Sequence, residues 1–154
     1  MKVRLLLFLC AITFNSFAQN NVLVFQSDFG LKDGAVSAMK GVAMGVSTDI
    51  KIFDVTHEIP AFNIWEAAYR LSQTAQYYPA GTVFVSVCDP GVGTARHSVV
   101  LLTKSGHYFV TPDNGTLTLV AEQLGIEEIR EIDEVKNRRQ NSNESYTFHG
   151  RDVY

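Results

Sequence analysis

Beyond residue 21 the hydrophobic positions change period several times, and each change marks an element. Val22 to Gln26 is a nearly continuous apolar run that stops at Ser27-Asp28-Phe29-Gly30, so it reads as a buried strand entering a loop. Ala35, Ala38, Met39, Val42 and Val46 then recur at helical spacing, with Gly34 and Gly45 near the ends. Ile50 to Val55 predicts the next strand. Ile64, Ala67, Ala68, Leu71 and Ala75 predict the next helix, closed by Tyr77-Tyr78-Pro79. Thr82 to Cys88, rich in β-branched residues, predicts a third strand. Ser98 to Thr103 and His107 to Thr111 flank Lys104-Ser105-Gly106 as the arms of a hairpin. Leu117, Val120, Ala121 and Leu124 suggest a short helix, and Ile126 to Ile132 one more strand. The polar stretch from Glu134 to Ser145 reads as an exposed connecting loop. Alternation of strand and helix predicts an α/β fold, a mostly parallel sheet with helices on both faces.

The first residues follow a different logic. Lys2 and Arg4 precede an apolar run, Leu5 to Phe14, and Ser16-Phe17-Ala18 supplies small residues ahead of polar Gln19-Asn20-Asn21. This is the layout of a secretory signal peptide spanning residues 1–18, and it predicts an exported, periplasmic or secreted bacterial protein. An uncleaved anchor or a misplaced start codon is the alternative. The run is far shorter than the ~20 residues of a spanning helix, so no stable membrane span is expected. Cleavage after Ala18 would remove Cys10 and leave Cys88 as a lone thiol, without an internal disulfide. Within the 154 residues, 46% are hydrophobic and 19% charged, enough for one cored domain over 22–154. A formal charge of −3 offers no basic field for nucleic acid.

In a parallel α/β sheet, ligands bind beyond the carboxyl ends of the strands. At those positions the sequence places Asp28 and Asp33, then Thr56-His57-Glu58, then Asp89-Pro90-Gly91-Val92-Gly93-Thr94-Ala95-Arg96. After the hairpin comes Pro112-Asp113-Asn114-Gly115, and near the end Phe148-His149-Gly150-Arg151-Asp152. Each has a plain structural reading as well: Asp28 can cap a turn, His57 and Glu58 can be solvated, and Asp113-Asn114-Gly115 is a strong turn signal. The glycines after Asp89 lack the Gly-Lys-Ser/Thr ending of a phosphate loop, and no dinucleotide fingerprint or Gly-x-Ser-x-Gly elbow occurs. Asp28, His57, Asp89 and His149 could ligate a metal, yet no close pair has a recognised ligand spacing, so no metal is expected.

In order, Ser27-Asp28-Phe29-Gly30 with Asp33, Asp54-Val55-Thr56-His57-Glu58-Ile59, Asp89-Pro90-Gly91-Val92-Gly93-Thr94 with Arg96, Pro112-Asp113-Asn114-Gly115 and Thr147-Phe148-His149-Gly150-Arg151-Asp152 resemble the motifs of one family. It is the SAM hydroxide adenosyltransferase family, relatives of the SAM-dependent fluorinase and chlorinase, and the resemblance runs from about Val22 to the last residue. It implies a larger α/β N-terminal domain, a smaller C-terminal β-barrel domain lying outside these residues, and a homotrimer with sites between subunits. A structured segment that begins at Thr147 and stops at Tyr154 suggests that the sequence is incomplete, and the isolated fragment is expected to be inactive.

The resemblance further implies hydrolysis of S-adenosylmethionine to adenosine and methionine, with no cofactor and the sulfonium compound as substrate. Water attacks ribose C5′, and the leaving group departs as a neutral thioether, so no general acid is required. The family's Asp-Arg-His set maps onto Asp89, Arg96 and His149, and the carboxylate that grips the ribose hydroxyls onto Asp28. Asp33, Phe62, Asn114 and Phe148 are carried over as further substrate-binding positions, Phe62 beside the ribose and Phe148 near the nucleophile. A halogenase is the less favoured alternative, because a carboxylate at Asp89 repels halide. A non-catalytic nucleoside-binding remnant is the other.

Overall fold

A computed structural model describes residues 20–142 and 148–154; the signal peptide expected over 1–18 lies outside the described residues. The elements run β1 (Val22–Ser27), α1 (Ala35–Val46), β2 (Lys51–Thr56), α2 (Ile64–Ala75), β3 (Val83–Val87), β4 (Ser98–Thr103), β5 (Tyr108–Pro112), α3 (Thr118–Leu124), β6 (Ile126–Glu131), α4 (Glu134–Asn137) and α5 (His149–Asp152). The strands form one six-stranded sheet in the order β2-β1-β3-β5-β4-β6. β2, β1, β3 and β5 are parallel, and β4 runs against both of its neighbours.

The period of two along each strand sorts its side chains between two cores. Val24, Phe84, Phe109 and Leu101 share one face and pack with Leu71 and Ala75 of α2 and Val120 of α3. Their neighbours Phe25, Val85 and Val87 point the other way, onto Met39 of α1. Helices therefore cover both faces, as the alternating pattern predicts. Stacked Phe84 and Phe109 rings, with centroids 5.0 Å apart, fill the middle of the first core.

One sequence expectation gains a detail and two change. The hairpin forms through Lys104-Ser105-Gly106; its second arm, β5, lies parallel beside β3, and β4 follows on the far side of β5 as an antiparallel strand of the same sheet. Helix α1 buries Val36 and Met39, and Val46 is 82% exposed, although the apolar spacing pointed to the stripe through Ala35, Ala38, Met39, Val42 and Val46. The helix is apolar nearly all round, so its periodicity could not select a face. The stretch after Ile132 is not wholly a loop, since Asp133 caps a helical turn by accepting from the Lys136 N–H at 3.2 Å.

At the edge of the sheet, β6 is exposed along its length and carries Glu127, Glu128, Arg130 and Glu131, charges that discourage pairing with another strand. Among the described residues no helix is long and apolar enough to cross a membrane.

Candidate active site

From β1 the chain crosses to β2 on one side, then passes from β2 to β3 on the other side of β1, so the sheet order reverses between β1 and β3. At such a switch point the loops diverge and open a crevice. Asp28 follows β1 and Asp89 follows β3, and the two carboxylates line one cavity of about 260 Å³ with Phe29, Phe62, Val92 and His149. Larger hollows exist, and size alone does not mark the site. One of about 580 Å³ runs along the β4–β6 edge, away from the carboxyl ends of the parallel strands.

Asp28 is fixed from the β2–α2 loop. Its Oδ2 accepts the Phe62 N–H at 2.8 Å, and its own N–H donates to the Val87 carbonyl at 3.3 Å. Phe62 stands at φ 65°, a left-handed conformation that costs a bulky residue about 1–2 kcal/mol. Asn63 steadies the turn: its N–H donates to the Pro60 carbonyl, and its side chain caps α2 by accepting from Glu66. The strained residue thus turns its N–H to a site carboxylate while its ring, 63% exposed, stands at the cavity rim.

The motif around His57 braces the same loops. His57 is buried, with Nδ1 2.7 Å from Ser27 Oγ and Nε2 3.1 Å from Asp54 Oδ1. Its carbonyl accepts the Gly30 N–H at 2.7 Å. It ties the ends of β1 and β2 together behind Asp28.

Asp89 is held by three donors. Oδ1 accepts the Gly91 N–H at 3.1 Å, and Oδ2 accepts Arg96 Nε at 2.8 Å with Nη2 2.7 Å away. Oδ1 retains capacity to accept from a water. Arg96 also donates through Nη1 to Ser98 Oγ at 3.0 Å and to Glu134 Oε1 at 3.2 Å.

His149 begins α5 and is 4% exposed. Its Nε2 lies 3.4 Å from Glu134 Oε2, and its Nδ1 lies 3.5 Å from Arg138 Nη1. Burial pushes the imidazole below its ordinary value; Arg96 and Arg138 act in the same direction and Glu134 opposes them. The ring is therefore neutral near pH 7. Gly150 lets α5 approach: a Cβ there would stand 2.5 Å from Val87 Cγ1 and 3.1 Å from the Phe29 ring.

Of the residues singled out in the sequence, Asp28, Phe62, Asp89 and His149 share the cavity, and Arg96 clamps Asp89. Asp33 and Phe148 line an adjoining hollow of about 230 Å³ with Phe29 and Arg151. Asp33 Oδ1 accepts the Ala35 N–H at the start of α1, and the Arg151 guanidinium lies 4.4 Å from the Phe148 ring centroid. Asn114 lines neither hollow. Its amide donates to the Cys88 carbonyl at 2.8 Å and its Oδ1 accepts from Thr116, tying the end of β3 to the loop after β5. Glu134, Ser98 and Tyr154 complete the cluster and carried no sequence signal. The Ser98 hydroxyl donates to Glu134 Oε1, so the contact of 2.9 Å with Tyr154 is made by the phenol donating. Among the described residues no group of three or more His, Cys, Asp or Glu is arranged to hold a metal ion.

Two carboxylates, one of them clamped by arginine, thus line one cavity at the switch point of an α/β domain. The chain belongs to the SAM hydroxide adenosyltransferase N-terminal domain family, which it matches over residues 23–154. It is 46% identical over 138 residues to an (R)-S-adenosyl-L-methionine hydrolase of Methanocaldococcus jannaschii, covering 87% of this chain and 50% of that protein. A fluorinase of Actinoplanes is 30% identical over 139 residues, covering 76% of this chain and 47% of that enzyme. A solved structure of an uncharacterised conserved protein from Thermotoga maritima superposes with a TM-score of 0.81 at 43% identity, over 86% of this chain and 50% of that one. The chain thus spans about half the length of the relatives it matches.

Proposed function

We propose that this domain is the water-activating part of an enzyme that hydrolyses S-adenosylmethionine to adenosine and methionine. The observation that carries the reading is the Asp89–Arg96 clamp at the switch point, with Asp28 and His149 on the walls of the same cavity. Asp28 keeps an oxygen for the ribose hydroxyls, which fixes C5′. A water accepted by Asp89 Oδ1 attacks C5′ as the C5′–S bond breaks; the sulfonium leaves as neutral methionine thioether, and one proton passes to solvent. Arg96 holds the carboxylate in place, so its contribution is orientation and field on a partly hydroxide-like water more than proton abstraction.

Asp89 also favours hydrolysis over halogenation. A fixed carboxylate repels a halide nucleophile, and the hydrolase relatives are the more similar ones, at 46% against 30% identity. The rest of the reading concerns the whole protein. A leader over residues 1–18 exports it, and it assembles as a homotrimer in which a neighbouring subunit's C-terminal domain closes the cavity. The exposed rings of Phe62 and Phe148 at the rims support such a cover. The acidic balance of −3 disfavours nucleic acid as a partner.

Protein from the complete reading frame, incubated with S-adenosylmethionine, should release adenosine and methionine in equal amounts. Asp89→Asn should cut the rate at least about a hundredfold. A folded protein that binds the substrate but releases no adenosine supports the nucleoside-binding alternative and overturns hydrolysis. Light scattering and the N-terminal residue of exported protein check the trimer and the leader.

A further inference from the structure

The Asp-Arg-His set is not a closed triad in this fold. Asp89 and Arg96 touch, but the link from Arg96 to His149 runs through Glu134 of α4. Glu134 Oε1 accepts from Arg96 Nη1 at 3.2 Å, and its other oxygen lies 3.4 Å from His149 Nε2. We propose that Glu134 is a positioning residue of this site: one oxygen braces Arg96 against Asp89, and the other sets the tautomer and charge environment of His149. The inference rests on the hydrolase reading for its consequence in turnover, but the geometry it asserts can be read without any turnover.

The donor inventory supports it. A guanidinium only donates, so the approach of Arg138 to Nδ1 makes that nitrogen the acceptor. The ring proton then sits on Nε2, facing Glu134. Among the described residues, the charged or titratable groups that face the imidazole include Glu134 of α4, Arg138 just after it, Arg96 of the β3–β4 loop, and the Tyr154 ring with its centroid 6.0 Å away. Of these, the two arginines repel a charged imidazolium, and burial pushes the Tyr154 hydroxyl upward so that it stays neutral. Among the described residues, Glu134 is an anion that offsets the arginines.

The carboxylate is suited to that task. Burial pushes Glu134 up, but the Ser98 hydroxyl, His149 and Arg96 together hold it below the ordinary carboxylate range, so it is charged wherever the domain works. It stands outside the cavity of about 260 Å³ that holds Asp28 and Asp89. It lines a separate hollow of about 640 Å³, and His149 lines both. Glu134 therefore acts on the reaction through Arg96 and His149, without touching a molecule in the smaller cavity.

The test compares Glu134→Gln with the unaltered protein, since glutamine keeps the shape and removes the charge. Nitrogen-15 NMR of the full chain follows the imidazoles through pH, with His149 assigned by its disappearance in His149→Gln. In the unaltered protein His149 should carry its proton on Nε2. In Glu134→Gln its titration should move down by about one pH unit. Turnover with S-adenosylmethionine should show kcat lower by about tenfold and KM within about twofold, because the carboxylate stands outside the cavity. A folded Glu134→Gln protein with an unchanged His149 titration would overturn the proposal, whether or not the unaltered protein is active. A rise in KM alone would overturn it too, since it would place Glu134 on the substrate. An inactive unaltered protein in which His149 shifts as expected would leave Glu134 in place and remove the hydrolase reading instead.

Discussion

Cys88 shows how the site's charges act on a single residue. It is fully buried at the end of β3, between Val87 and Asp89 in sequence and close to Asp28 in space. Burial, then the charge and hydrogen bond of Asp28, then the charge of Asp89 push its thiol up to about 12. It should therefore be inert to Ellman's reagent in native protein at pH 8. On unfolding, the Cys88 thiol should become reactive. Rapid labelling of the native protein would contradict the burial and the two carboxylates beside it. At this scale the sequence was most informative. Asp28, Asp89 and His149 could be named because each follows a turn signal at a strand end or sits in a recognisable motif. Glu134 could not, because a glutamate in a polar stretch looks like any solvated residue. What makes it special is Arg96, 38 residues away.

Among the elements, the short helix α5 decides whether the site exists. It lies on the end of β3, and Gly150 is the point of contact. Gly150→Ala would drive a methyl into the branched side chain of Val87, so we expect a loss of about 1–3 kcal/mol in urea unfolding. His149 precedes it on the same turn, and activity should fall further than stability alone explains. A variant that keeps full stability would show that α5 can slide away from β3. The boundaries of α2 and the parallel strands were legible because their periods are clean and their ends carry Asn63, Pro79 or glycine. The face of α1 was not. Alanine, valine, methionine and glycine surround that helix, and only the position of β1 and β3 determines which side is buried.

For the whole molecule, acid should destabilise in two stages. His149 has a folded value below its ordinary 6.5, so the unfolded chain binds more protons as pH falls from that value, and stability is lost there. Asp54 and Glu134 have folded values below 3.8 and 4.5, so their contribution is present above those values and is lost as pH falls below them. His97, exposed and paired with Glu131, is shifted up and works weakly in the opposite sense: it stabilises below 6.5 and the gain is lost as pH rises through its folded value. Chemical denaturation from pH 8 to 3 should show both losses, and His149→Gln should remove the first. A flat profile between pH 7 and 5 would mean that His149 is protonated as easily in the folded chain as in the unfolded one.

The amino-acid sequence alone determined the elements, the α/β class and the edge on which the chemistry gathers. Those depend on local periodicity and on turn residues that act within a few positions. The tertiary structure alone decided that the second arm of the hairpin joins the parallel strands, which face of α1 is buried, and that Glu134 stands between Arg96 and His149. Each depends on groups far apart in the chain, such as Ser98 and Tyr154, 56 residues apart and 2.9 Å from contact to contact. No local pattern encodes such a pairing, because its energy arises only when burial brings the partners out of water together.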